Sequence, residues 1–256
     1  SMHAVSGSFW KYFHRLNTSG ERFSFSNRLP PSQVLRCKLD TVYPHLPRRF
    51  YARQEDFARR GKSEKFRVNG VDNEVIHATQ KWLDSYIIGL GLCPFAASAR
   101  RGTRILVSDA NTVGAALKKI VDEAVLLSEQ PTDKPATTLL VLCGSFAEDW
   151  ECFAGEVLPC AEDELARFGL DCDLQIVPFH PKAEYEDSPS VFADFALRSP
   201  YPTVHLLRKA DVAAAEEEWA RRGRSTADVA AYNTALLAGV GRGELERLAR
   251  SWHERP

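Results

Sequence analysis

The sequence predicts an α/β protein in which helices cover a mainly parallel sheet of four or more strands. Two patterns predict this fold, because short apolar runs alternate with amphipathic helical segments and the links between them are short. The run at residues 139–143 is apolar at every position, which is typical of a central strand buried on both faces. No apolar run reaches the roughly 18 residues that a membrane span needs, so the sequence argues against a membrane protein.

The elements follow one another in an alternating order. A first helix is predicted after Asn73, which can cap it, and Gly89 and Gly91 supply its end. A second helix is predicted to begin at Asn111, and Pro159 predicts a kink or break in a third. The predicted strands are residues 103–109, 136–144, 171–180 and 203–209, and three further helices are predicted over residues 211–223, 225–239 and 243–252. This order implies right-handed crossovers and therefore parallel neighbours.

Charge divides the chain into two parts. Residues 1–70 contain 14 Lys and Arg against 5 Asp and Glu, a balance of +9. The whole chain has 33 and 34, so residues 71–256 contain 19 and 29, a balance of −10. This asymmetry predicts a basic N-terminal extension over residues 1–70 and an α/β domain over residues 71–256.

The extension is open to three interpretations. Its arginines, serines, scarce acidic residues and aromatic cluster are typical of a transit segment, which would direct the protein to mitochondria or plastids rather than leave it cytoplasmic. In the second interpretation the extension is an arm that packs on the body or on a second copy of the chain. Packing on a second copy would make the protein a homo-oligomer. A nucleic-acid-binding tail is disfavoured because the basic residues are scattered and the domain is acidic.

The segment GLCPFA contains the first candidate functional residue, Cys93. The six cysteines of the chain form no C-x-x-C pair, which favours free thiols in a reducing compartment. Pro94 suits the first position of a helix, so Cys93 is predicted to cap a short helix there. The helix N-terminus would then lower the pKa of the thiol well below about 8.5. Alternatively, Cys93 is a buried apolar filler.

Two further segments supply histidines and arginines. In VPFHPK, His180 follows a predicted strand at its carboxyl end, where α/β proteins bind ligands, unless it only caps that strand in solvent. In RSPYPTVHLLRK, Arg198 and Arg208 flank a loop fixed by prolines and are predicted, with Tyr201, to bind an anion. His205 lies on the following strand and is either a candidate base or a hydrogen-bonded core histidine.

The segments GLCPFA, FHP and RSPYPTVHLLR occur in this order and resemble the signature segments of a family named domain of unknown function fourteen-fifteen, found in bacteria and plant organelles. The resemblance covers about residues 73 to 222. The residues that occupy its motif positions are Cys93, Pro94, His180, Pro181, Arg198, Pro200, Tyr201, Pro202, His205 and Arg208. The family name implies no activity, but the shared motifs favour one site over three unrelated structural roles.

These residues lead to three functional hypotheses. In the first, the chain is an enzyme acting on a small acidic metabolite, with Cys93 as nucleophile, His180 or His205 as base, and Arg198, Tyr201 and Arg208 binding the acidic group. The second is a zinc site formed by Cys93 and the two histidines. The third is a non-catalytic ligand-binding or scaffolding protein. The sequence identifies neither the substrate nor a cofactor.

Overall fold

The computed structural model describes residues 70–222 and 229–254, which form a four-stranded sheet flanked by helices. The strands are β1 (Thr103–Ser108), β2 (Thr137–Leu142), β3 (Leu174–Phe179) and β4 (Thr203–Arg208). The helices are α1 (Gly70–Trp82), α2 (Ala96–Ala99), α3 (Val113–Ser128), α4 (Trp150–Cys152), α5 (Leu158–Arg167), α6 (Val191–Phe195), α7 (Lys209–Arg221), α8 (Val229–Val240) and α9 (Arg242–Ser251). The extension predicted over residues 1–70 lies outside the described residues, except for Gly70.

The sheet has the strand order β1-β2-β4-β3, and its only parallel pair is β1 with β2. β4 runs antiparallel to both of its neighbours, so the prediction of a mainly parallel sheet is wrong. The link from β3 to β4 contains four prolines and only the five-residue helix α6. This link lacks the long helix that a parallel crossover normally uses, and the chain turns back to pair β4 with the strand before it.

The central position of the apolar run is confirmed. All six residues of β2 are buried, and the strand lies between β1 and β4. β2 ends at Leu142, so Cys143, which the apolar run includes, lies just beyond the strand. Leu139 of β2 pairs with His205 of β4, and His205 in turn pairs with Val177 of β3. His205 is therefore held in the middle of the sheet.

Two helices begin at other residues than predicted. α1 begins at Gly70, so Asn73 lies inside it and does not cap it. α3 begins at Val113, because Thr112 rather than Asn111 is its N-cap and accepts a hydrogen bond from the Ala115 N–H at 3.3 Å. The break near Pro159 is present: a π-helical turn at Phe153–Val157 leads into α5, where the proline occupies the first turn.

No helix among the described residues is long and apolar enough to cross a membrane.

The two faces of the sheet bury different side chains. Along β4, His205 and Leu207 lie on one face and Val204 and Leu206 on the other, because side chains alternate along a strand. Helix α3 packs on β2 and β4 and against α5. The His205 face instead borders a small enclosed space, whose other wall includes residues of α1 and α8.

Candidate functional site

A small cavity on the His205 face of the sheet brings two of the predicted site residues together. Its volume is about 60 Å³, and eleven of its fourteen lining residues are apolar. The other three are Cys93, His205 and Asn233, which come from the loop before α2, from β4 and from α8. A few polar groups in an apolar lining are the composition of a ligand site, although this cavity is smaller than the roughly 300 Å³ of most ligand pockets.

Cys93 reaches the cavity from a short irregular segment after α1. The π-helical turn Leu83–Ile88 extends that helix, and Gly91 then adopts φ 68°, a left-handed conformation that favours glycine. The half-buried Cys93 lies close to the backbone N–H groups of Phe95 and Ala96, which lower the pKa of its thiol. The Ala96 N–H donates its hydrogen bond to the Cys93 carbonyl at 3.4 Å.

The predicted cap and the predicted low pKa of Cys93 are both wrong. α2 begins at Ala96, and its N-cap is Phe95 rather than Cys93. Burial raises the pKa of the Cys93 thiol, and this effect outweighs the two N–H donors, which lower it. The carboxylate of Glu216 raises the pKa further. A helix of four residues has too small a dipole to reverse this balance, so Cys93 is a neutral thiol at neutral pH.

His205 is also neutral, and its hydrogen bonds fix the position of its proton. The Thr137 hydroxyl donates its only hydrogen to the Leu206 carbonyl at 2.6 Å, so it must accept from His205 Nε2 at 2.7 Å. The Nε2 atom therefore carries the proton, and Nδ1 keeps its lone pair. Burial lowers the pKa of His205 to about 3.

Asn233 is the third polar residue of the cavity, and it was not among the site residues predicted from the sequence. It is 3% exposed, and its Nδ2 donates to the Leu92 carbonyl at 2.8 Å. Its Oδ1 is buried and has no hydrogen-bond partner among the described residues. A signal was present in the sequence: Asn233 shares the apolar face of α8 with Val229, Ala230 and Leu237, where a polar residue is unusual.

His180 lies in a different place from Cys93 and His205. It is fully buried, and its Nε2 donates to the Phe146 carbonyl at 2.8 Å. Its Nδ1 accepts from the Lys182 N–H at 3.0 Å, and its ring packs between Trp150 and Phe153. Both ring nitrogens are thus occupied, and burial lowers the pKa of His180. His180 does not line the cavity, although Phe179 of the same FHP segment does.

Arg208 also lies away from the cavity, at the end of β4. Its Nε donates to Asp211 at 2.6 Å, and its other guanidinium nitrogens donate to three backbone carbonyls, those of Gln130, Pro131 and Lys134. The side chain is 6% exposed. These bonds occupy four of the five N–H donors that were expected to bind an anion.

Arg198 and Tyr201 do not line the cavity either. The Arg198 guanidinium lies 4.1 Å from the centre of the Phe195 ring, and burial lowers its pKa. The Tyr201 ring packs edge-on against His253, with ring centres 5.3 Å apart. The predicted convergence of the arginines on the cysteine is therefore not found. An acidic substrate group would meet no arginine among the described cavity residues.

The structure gives no support for the zinc hypothesis. No group of three or more His, Cys, Asp or Glu side chains that could hold a metal ion occurs within residues 70–222 and 229–254. The reason is the separation of His180 from the other two expected ligands.

Cys93 also lines a larger groove on the outside of the domain. This groove has a volume of about 540 Å³ and runs between the α2 segment and α7, with Pro94, Ser98 and Trp219 among its walls. Cys93 lines both the groove and the inner cavity. A small molecule in the groove would therefore meet the cysteine before it reached His205.

The fold and this site define a mixed α/β domain with a cysteine and a histidine facing one apolar cavity. The chain belongs to a family described as protein of unknown function (DUF1415), whose model matches residues 74–247. This match confirms the family that the three motifs predicted. No curated protein and no solved structure matches the chain.

Proposed function

We propose that this protein is an enzyme in which Cys93 is the nucleophile and His205 the base that activates it. The observation that carries the proposal is the shared cavity: Cys93 and His205 come from distant parts of the chain and line one small apolar space. A thiol and an imidazole with a free lone pair are the two parts that nucleophilic cysteine catalysis needs. His180 is not part of this proposal because both of its ring nitrogens are already bonded.

The chemistry begins from two neutral groups. As Sγ of Cys93 bonds to an electrophilic carbon, its proton passes to Nδ1 of His205, the nitrogen whose lone pair is available. Burial opposes each charge separately, since it raises the pKa of the thiol and lowers that of the imidazole. The two charges arise together in a poorly screened space, and their attraction offsets part of that penalty.

The backbone around Cys93 supplies one candidate donor for catalysis. The Ala96 N–H already donates to the Cys93 carbonyl at 3.4 Å, whereas the Phe95 N–H lies close enough to the thiol to lower its pKa. An oxyanion that forms on the carbon bound to Sγ would be within the influence of the Phe95 N–H, which suits acyl transfer. The cavity has room for only a small aliphatic group beside the reacting carbon.

Alkylation of individual cysteines tests this proposal. The rate at which iodoacetamide labels Cys93 is measured by peptide mass mapping in the full chain and in His205→Gln, with the exposed Cys160 and Cys172 as internal references. We expect His205→Gln to slow labelling of Cys93 about 100-fold, the usual contribution of a general base, and to leave the references unchanged.

A matched variant controls for the loss of any histidine. His253→Gln removes an exposed histidine that does not line the cavity, and it should leave the Cys93 rate unchanged. Equal rates at Cys93 in the parent chain and in His205→Gln would contradict the proposal. The raised pKa of Cys93 would then favour the alternative, a ligand-binding protein in which the thiol only lines the pocket.

A further inference from the structure

Asn233 places an unsatisfied acceptor at the candidate site. Its Nδ2 is committed to the Leu92 carbonyl, and a carbonyl can only accept, so the orientation of the amide is fixed. Its Oδ1 is left buried with no partner in residues 70–222 and 229–254, although the residue lines the cavity. A buried acceptor without a donor is costly, so a ligand that supplies an N–H or O–H group would be strongly favoured there.

The polar groups of the cavity select against a charged ligand. Asn233 Oδ1 and His205 Nδ1 are both acceptors, and no Lys or Arg is among the described residues that line the cavity. Glu216 lines an adjoining space of about 30 Å³ together with Cys93, and its charge acts on the thiol. A carboxylate would therefore meet apolar walls, acceptors and a negative charge, which is unfavourable.

We infer that the cavity takes a small uncharged carboxamide, with its N–H donating to Asn233 Oδ1 and its carbonyl carbon facing Cys93. This inference names the substrate class of the enzyme proposed above and rests on that proposal. A carboxamide carries a donor and an electrophilic carbon on adjacent atoms, which matches the two groups that the cavity presents. Its carbonyl oxygen would be received by the Phe95 N–H group.

The reaction that follows is a hydrolysis in two steps. Sγ bonds to the carbonyl carbon while the thiol proton passes to His205 Nδ1, and the same proton then goes to the amide nitrogen. The C–N bond breaks, ammonia leaves, and a thioester remains on Cys93. Water, activated in turn by His205, adds to the thioester, and the C–S bond breaks to give the carboxylic acid and the free thiol.

Two alkylating agents of matched size test the preference for an amide. Iodoacetamide is itself a small uncharged carboxamide, and iodoacetate is the carboxylate of the same size. The ratio of their labelling rates is measured at Cys93 and, in the same chain, at the exposed Cys160 and Cys172, which give the intrinsic ratio. We expect the ratio at Cys93 to exceed that reference by about tenfold, the effect of one well-formed hydrogen bond.

Two further measurements assign this preference to Asn233. Asn233→Leu should lower the Cys93 ratio to that of the exposed cysteines, because it removes Oδ1 and keeps the side-chain volume close. If that variant does not fold, the labelling rate of Cys93 in the parent chain is measured with an added small molecule. Propionamide should slow this labelling, and propionate should not. Equal ratios at the three cysteines, or equal protection by the amide and the acid, would overturn the inference.

The failure of this inference can be told apart from the failure of the proposed function. If Cys93 reacts with neither reagent, the proposed nucleophile is wrong, and binding alone is then measured with Cys93→Ser by NMR. Line broadening of the methyl signal of propionamide, with none for propionate, would uphold the amide site without catalysis. No broadening for either molecule would overturn it.

Discussion

At the scale of single residues, the two candidate histidines serve different purposes. His180 makes two hydrogen bonds through its ring and packs against two aromatic side chains, so it joins the β3–α6 loop to the segment at Phe146. His205 bonds to Thr137 through Nε2, which carries its proton, and the residue lines the cavity. Sequence position alone could not separate these roles, because both histidines lie in or directly after an apolar strand.

Substitution of each histidine should therefore have a different effect. We expect His180→Gln to lower the free energy of unfolding by about 2–4 kcal/mol, because it disturbs two buried hydrogen bonds and the ring packing. Its effect on the labelling rate of Cys93 should be small. Urea unfolding and peptide mass mapping measure the two quantities. A stable His180→Gln protein whose Cys93 no longer reacts would show that His180, and not only His205, belongs to the site.

At the scale of elements, Arg208 acts as a clamp between β4 and the loop before β2. Its guanidinium bonds to Asp211 in the first turn of α7 and to three carbonyls of residues 130–134. The loop before β2 also receives a second tie, because the Ala136 N–H donates to the same Asp211 carboxylate. The spacing in RSPYPTVHLLRK could predict an important arginine, but its partners lie about 75 residues away and could not be predicted.

Replacement of this arginine should reveal a structural role. We expect Arg208→Lys to cost about 2–3 kcal/mol of unfolding free energy, because a lysine cannot reach the four partners of a planar guanidinium. Arg221→Lys is the matched control, since Arg221 makes an exposed ion pair with Glu218, and it should change the stability by less than about 0.5 kcal/mol. The urea concentration at the midpoint of unfolding measures the stability of each variant. Equal midpoints in the two variants would contradict a structural role for Arg208.

At the scale of the whole molecule, the sequence predicted the elements better than their arrangement. The four strands and most long helices lie where periodicity and glycines placed them, and the apolar run is the central strand β2. The reversal of β4 was missed because strand direction depends on how the β3–β4 link packs, and local patterns do not encode this. The same limit applies to the site: the pairing of Cys93 with His205 arises from packing across the sheet, and Asn233 comes from a third, distant element.

The buried histidines should make the stability of the molecule depend on pH. Burial lowers the folded-state pKa of His180 and His205, so the unfolded chain binds more protons once the pH falls below about 6.5. Their contribution is complete above that pH and is lost as the pH falls towards the folded values. We expect the free energy of unfolding, measured from urea curves, to fall between pH 7 and 5 by at most about 1.4 kcal/mol per pH unit for each histidine. His205→Gln should reduce this slope, and a midpoint that rises in this range would contradict the assignment.

The described residues should fold without the basic segment that precedes them. Their apolar side chains form one contiguous core that extends from Trp82 in α1 to Trp252 after α9. We expect a chain that begins at Gly70 to unfold cooperatively and to label at Cys93 as the full chain does. Circular dichroism during urea unfolding measures this directly. Aggregation or a non-cooperative transition would show that residues 1–69 complete the core.

The dependence of the Cys93 labelling rate on pH tests the central claim, the coupling of Cys93 to His205, most directly. A pair of coupled groups holds a constant fraction of its thiolate–imidazolium form between the two apparent pKa values of the pair. We therefore expect the rate at which iodoacetamide labels Cys93 to be nearly constant from about pH 5.5 to 7.5. Over the same range the labelling rate of an uncoupled thiol rises about tenfold per pH unit, because only its thiolate reacts. A tenfold rise per pH unit at Cys93 itself would contradict the account.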